Sequence, residues 1–124
     1  MEIKILNPAD LFRHETSLRA VPLGEYLFKE GDRGQEMYVQ MSDRAEILVK
    51  GRVVEKTAVG AILGEMALID NSPRAATVVA TTADCRFAVI EAKRFGFMVQ
   101  QTPSFALHVM HVLASRLRNV DGFL

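Results

Sequence analysis

Between two stretches rich in β-forming residues lies Ile62-Leu63-Gly64-Glu65-Met66-Ala67-Leu68-Ile69-Asp70-Asn71-Ser72-Pro73-Arg74-Ala75-Ala76-Thr77, where groups able to hold an anion fall within one short span. Glu65 to Ile69 are good helix formers for one or two turns, and Asn71-Ser72-Pro73 breaks them. Gly64, just ahead of that helix, leaves the backbone N–H groups of its first turn open, where partial positive charge collects and no Cβ keeps an anion away. Arg74 brings a guanidinium fork suited to two phosphate oxygens, and the small Ala75 and Ala76 keep the next strand's backbone accessible. Glu65 repels an anion unless the ligand also carries a hydroxyl, because an ionised carboxylate only accepts hydrogen bonds. A phosphorylated ribose offers both groups. Two plainer readings stay open at this point: Arg74 paired with Asp70 in solvent, and Gly64 merely closing a strand.

These residues need a scaffold, and the flanking sequence describes one. Asn7-Pro8-Ala9-Asp10 combines a capping side chain with Pro at the first helical position, so a short helix running to about Glu15 is expected, with Leu11 and Phe12 on its buried face. From Leu18 onward, short apolar runs alternate with glycine and charged turns, the pattern of an antiparallel meander. The runs are Tyr26-Leu27-Phe28, Met37-Tyr38-Val39, Ala45-Glu46-Ile47-Leu48-Val49 and residues 53–59, with Lys50-Gly51-Arg52 as a tight hairpin and Gly31-Asp32-Arg33-Gly34 as a second turn. Residues 75–80 and 86–91 continue the β pattern; strands this short and numerous suggest a closed barrel or roll. After Glu91 the period becomes helical: Phe95, Met98 and Val99 share a face until Thr102-Pro103 starts a new helix. In that last helix Phe105, Ala106, Val109, Met110, Val112, Leu113, Leu117 and Val120 gather in one arc, with His108, His111, Ser115, Arg118 and Asn119 opposite. Ala106, Met110, Leu113, Leu117 and Val120 also recur at alternating steps of four and three, a spacing that suits a paired seam as well as packing on the chain's own barrel.

Composition narrows the chemistry. The 124 residues fit one domain spanning residues 1–124, with 49% apolar and 24% charged residues, an ordinary folding composition. Lys plus Arg and Asp plus Glu both total 15, which disfavours a general nucleic-acid binder. The single Cys85 cannot form an intramolecular disulfide, and with no apolar span or secretory leader in view a cytoplasmic location is expected. His14, His108 and His111 fall on expected helices away from the strands and one cysteine cannot build a thiolate site, so neither a metal nor an enzyme reading is supported.

Gly64-Glu65-Met66-Ala67-Leu68 followed by Pro73-Arg74-Ala75-Ala76-Thr77 closely resembles the phosphate-binding cassette of cyclic nucleotide-binding domains. Phe28-Lys29-Glu30-Gly31-Asp32 and Met37-Tyr38-Val39 resemble the same family's strands and Gly-Asp turn. The resemblance implies a mainly β fold: an eight-stranded antiparallel β-roll, jelly-roll-like, with an N-terminal helix, a short cassette helix and two C-terminal helices. It implies that Glu65 binds the ribose 2′-hydroxyl, Arg74 the exocyclic phosphate oxygens, and backbone groups of Gly64, Met66, Ala67 and Ala75 complete the cradle. Family members favouring cyclic GMP often carry Thr or Ser after the arginine; Ala75 makes cyclic AMP the expected ligand, with cyclic GMP second. Beyond that ligand no cofactor or metal is implied, and catalysis is not expected. The C-terminal helix is the expected contact for a homodimer or an effector protein, and Phe123, with Leu117 and Val120 as alternatives, is a candidate to cap the base. Three departures stand out: Leu63 where the family commonly has Phe, Asp43 where it often has Gly, and an end at Leu124 that leaves no residues for the DNA-reading helices of catabolite activators, so direct nucleic-acid binding is not expected.

Overall fold

A computed structural model describes residues 7–119. A 3-10 helix, Pro8–Phe12, opens the chain, with the Asn7 side chain accepting from the Ala9 amide at 3.1 Å. Eight strands follow: β1 (Arg19–Val21), β2 (Tyr26–Phe28), β3 (Glu36–Ser42), β4 (Ala45–Val49), β5 (Arg52–Thr57), β6 (Ile62–Leu63), β7 (Thr77–Ala80) and β8 (Cys85–Glu91). The helix α1 (Glu65–Asp70) interrupts them after β6, and α2 (Ala92–Gln101) and α3 (Pro103–Arg118) close the chain. The strands form two four-stranded antiparallel sheets, β1-β8-β3-β6 and β2-β7-β4-β5, so every pairing except the β4-β5 hairpin joins strands that are not consecutive in sequence. The mainly β roll with flanking helices is the expected architecture.

Strand periodicity explains where the core sits. Side chains alternate across a strand, so Tyr38 and Phe87 point into the space between the sheets, where they meet Val21, Leu27, Ile47 and Val78. The neighbours Met37, Val39, Ala88 and Ile90 point the other way and are covered by Phe12, Phe105 and Val109. The run Met37–Gln40 is therefore buried on both faces, while the edge strand β5 exposes Val53 and Val54.

Two turns follow directly from residue type. Lys50 and Gly51 adopt φ 51° and 77°, the left-handed pair required by a two-residue hairpin between β4 and β5. Asp43 takes φ 64°, as its tolerance for that region permits, and its carboxylate accepts from the Thr82 hydroxyl at 2.9 Å and the Asp84 amide at 2.7 Å. Behind it the fully buried Gln40 donates to the Asp43 carbonyl at 2.9 Å and accepts from the Thr57 hydroxyl at 2.7 Å, which stitches the turn to β5.

The structure corrects three expectations and adds two strands that the sequence pattern did not mark. The opening helix is a single 3-10 segment ending at Phe12, which leaves His14 in a turn; Pro8, Ala9 and Phe12 are buried and Leu11 is exposed, because a three-residue period stacks Phe12 on Ala9 and leaves Leu11 off that face. The β6 and β1 strands, two and three residues long, are too short to show a period. The expected strand over 53–59 begins at Arg52 and ends at Thr57, leaving Val59 in the loop before β6. Finally the apolar arc of α3 is only partly covered: Phe105 and Val109 are buried, whereas Met110 and Leu117 are exposed.

Candidate functional site

The β6 strand ends at Leu63, and the chain turns into α1 at Gly64 with φ 78° and ψ 14°. A Cβ here would lie 2.6 Å from Arg74 Nη1 and 3.1 Å from the Glu36 carbonyl oxygen, so both backbone conformation and space demand glycine. The α1 helix ends at Asn71, also left-handed at φ 57°. Beyond it Asp70 Oδ1 accepts from the Ser72 amide at 3.1 Å, and hydrogen bonds from Ser72 hold the Asp70 carboxyl below its usual range. Asp70 therefore serves the cassette loop and does not pair with Arg74.

Arg74 is fixed by its own backbone. Its amide donates to the Asp32 carbonyl and its carbonyl accepts from the Gly31 amide, both at 2.8 Å, and this clamp on the glycine turn directs the side chain inward. The residue is 6% exposed. Nη1 donates to the Glu36 carbonyl at 2.7 Å and the Gly64 carbonyl at 3.2 Å, and the guanidinium lies 4.4 Å over the Phe28 ring. No described carboxylate pairs with it, and Nε and Nη2 find no acceptor among the described residues. A buried cation held by carbonyls and an aromatic face, with one edge of its fork unbonded, has the chemistry to accept an anion. Arg74 also walls a crevice of about 290 Å³ with Arg19, Phe28, Gly34, Glu36 and Tyr38. Tyr38 donates to Glu36 Oε2 and accepts from Arg19 Nη1, each at 3.0 Å; burial, then the bond to Glu36, pushes its hydroxyl pKa up.

Glu65 is 4% exposed, and its Oε1 accepts from Arg116 Nη1 at 2.8 Å. Arg116 comes from the last turn of α3, far from the cassette in sequence. It also donates to the Ile62 carbonyl at 2.8 Å and makes a two-pronged pair with Glu55 of β5 at 3.1 and 3.2 Å. Burial works to lower the Arg116 pKa, but the Glu55 hydrogen bond and the charges of Glu65 and Glu55 outweigh it and hold the guanidinium above its ordinary value. Sequence reasoning did not connect Arg116 to the site. The signal was the cassette carboxylate itself, which on burial needs a counter-charge.

Of the expected site residues, Gly64, Glu65 and Arg74 are brought together: Arg74 grips the carbonyl of the residue that precedes Glu65. The two side chains serve different walls, however, and Glu65 does not line the crevice that Arg74 lines. Ala67 is buried, while Met66 and Ala75 are exposed. Phe123 and Val120, the suggested caps for a base, lie outside the described residues. Among the described residues no group of three His, Cys, Asp or Glu side chains could hold a metal, and no helix is long and apolar enough to cross a membrane.

Residues 18–102 match the family model of the cyclic nucleotide-binding domain, and the chain belongs to that family of regulatory domains. A cAMP-dependent protein kinase regulatory subunit from Emericella nidulans is 44% identical over 63 residues, which is 49% of this chain and 15% of that protein. The Thermus thermophilus catabolite activator protein superposes with a TM-score of 0.75 at 26% identity, over 94% of this chain and 57% of that one. The EAL enzyme Bd1971 matches in its cGMP-bound form with a TM-score of 0.65 at 30% identity, over 82% of this chain and 28% of that one. Its cAMP-bound form gives 0.63 at 32% identity with the same coverage. This chain thus spans only part of each of these proteins.

Proposed function

We propose that the chain is a cyclic AMP sensor in which Arg74 neutralises the exocyclic phosphate, Glu65 accepts from the ribose 2′-hydroxyl, and backbone groups of Gly64, Met66, Ala67 and Ala75 complete the cradle. The observation that carries this reading is Arg74: a nearly fully buried guanidinium with no described counter-ion and an unbonded Nε–Nη2 edge. A cyclic phosphate supplies the missing negative charge in a form matched to that edge. Ala75 has no hydroxyl to meet a guanine amino group, which favours cyclic AMP over cyclic GMP; the two liganded forms of Bd1971 make the comparison a necessary one. Binding repositions α2 and α3, whose cover over the outer face of β3 and β8 links the roll to its C-terminal end. The output passes to an effector or a second copy through α3 in the cytoplasm, and the domain itself performs no catalysis.

Calorimetric titration with cyclic AMP and cyclic GMP side by side tests the reading. Saturable binding with cyclic AMP the tighter ligand is expected. No heat and no thermal shift at millimolar concentrations of either nucleotide would instead favour a non-binding interaction module of the same fold, a second reading favoured by the exposure of Met110 and Leu117 on α3.

A further inference from the structure

The carboxylate best placed to cancel the charge on Arg74 is that of Glu36, and it is held elsewhere. Arg74 Nη1 already donates to the Glu36 carbonyl at 2.7 Å, and both residues line the same crevice. A buried guanidinium without a counter-charge is costly, yet no ion pair joins the two among the described residues. Glu36 Oε2 instead accepts from the Tyr38 hydroxyl at 3.0 Å. The two residues stand two apart on β3 and so share a face, which makes this contact a local one. The hydroxyl in turn accepts from Arg19 Nη1 at 3.0 Å, while Arg19 Nη2 is anchored on the Leu27 carbonyl at 3.2 Å. Arg19 has no ion pair of its own among the described residues, so its charge acts on this chain of contacts. Donation to the hydroxyl oxygen makes its proton a better donor, which tightens the hold on Glu36. Asp32, the other carboxylate of the crevice, is tied within its own turn, where Oδ2 accepts from the Lys29 amide at 3.1 Å.

We infer that Arg19 and Tyr38 are positioning residues for the phosphate site: together they hold the Glu36 carboxylate off Arg74 and so keep its Nε–Nη2 edge free for an anion. The inference rests on the cyclic-nucleotide reading and deepens it, by naming the internal competitor that a ligand phosphate otherwise has to displace. A carboxylate attached to the wall of the site competes at the effective concentration of a tethered group, so a modest attraction is enough to fill the fork. Tyr38 and Arg19 remove that competitor without adding a negative charge to the crevice.

The test is calorimetric titration with cyclic AMP on the full chain, on Tyr38→Phe and Arg19→Met, and on the same two substitutions made in a Glu36→Gln background, each protein first shown to be folded by circular dichroism. Tyr38→Phe releases the carboxylate to pair with Arg74, a charge-assisted contact that the ligand must then break, so cyclic AMP is expected to bind roughly tenfold more weakly. Arg19→Met leaves the hydroxyl in place and is expected to weaken binding by about threefold. In the Glu36→Gln background there is no carboxylate to release, and each substitution is expected to change affinity by less than about twofold. A merely structural role for Tyr38 or Arg19 gives no such rescue. A deficit that persists in the Glu36→Gln background therefore overturns the inference, as does a Tyr38→Phe protein that binds as tightly as the unmodified one. Should Tyr38→Phe not fold, Arg19→Met with and without Glu36→Gln decides by the same comparison. If the unmodified protein binds neither cyclic AMP nor cyclic GMP, the cyclic-nucleotide reading is wrong and the inference falls with it, a result distinct from a missing rescue in a protein that binds.

Discussion

On the proposed reading, Arg74 concentrates the binding chemistry in one side chain. Replacing it with Ala removes the charge-assisted contacts to phosphate, which at about 1.5–3 kcal/mol corresponds to a roughly 10- to 150-fold weaker cyclic AMP affinity by calorimetry. Unchanged affinity would sink the role assigned to it. Gly64 is the test of local geometry: Gly64→Ala carries a left-handed cost of about 1–2 kcal/mol before its Cβ displaces Arg74, so urea denaturation should show both lower stability and, in titrations, weaker binding. Cys85 makes a contrasting prediction. Its thiol is 1% exposed and is pushed up to about 11 by burial and by the carboxylates of Asp43 and Asp84, so it should resist iodoacetamide at pH 8 until the chain unfolds. Rapid alkylation of the native protein would contradict that placement.

Helices and strands are tied together by a few long-range polar contacts, and these define what acid does. Arg94 of α2 grips Glu15 with two bonds at 2.9 and 3.2 Å, which fastens the segment after the opening 3-10 helix against the C-terminal helices. The Arg94 hydrogen bond holds the Glu15 carboxyl below its ordinary value of 4.5. A group depressed on folding stabilises the native state fully above its unfolded value and ceases to do so as pH falls through the folded one. The stability difference between the natural protein and Glu15→Gln should therefore be constant at neutral pH and shrink as pH drops below about 4.5, as chemical denaturation at several pH values would reveal. A difference that grows in acid contradicts the assignment. Both groups are partly solvent-exposed, so the expected effect is small.

At the scale of the molecule, the roll presents the cassette on one side and α3 carries an apolar row past it. Met110 and Leu117 are exposed, so converting both to Gln should leave folding stability within about 0.5 kcal/mol of the natural protein. Gel filtration of the same variant shows whether that row joins copies: an elution shift relative to the natural chain marks a self-association face, and identical elution directs attention to an effector. The Gly-Asp turn, the Lys50-Gly51 hairpin, the turn at Asp43 and the cassette helix were all legible in the sequence, because each is decided by the φ preference or helix propensity of one or two residues. So was the roll, through many short alternating runs. The β6 strand was not, since two residues carry no period, and the exposure of Leu11 was not, since only docking against the sheet selected a 3-10 pitch over an α-helical one.

What the sequence determined by itself was therefore local: where the chain turns, which faces are apolar, and that a glycine, a glutamate and an arginine stand at cassette spacing. Only the tertiary structure decided how Arg74 and Glu65 are satisfied, one by backbone carbonyls and an aromatic ring, the other by Arg116. The physical reason is that a buried charge takes whichever partner the packing of distant elements brings within about 3 Å, and residue type along the chain does not encode which helix end arrives there.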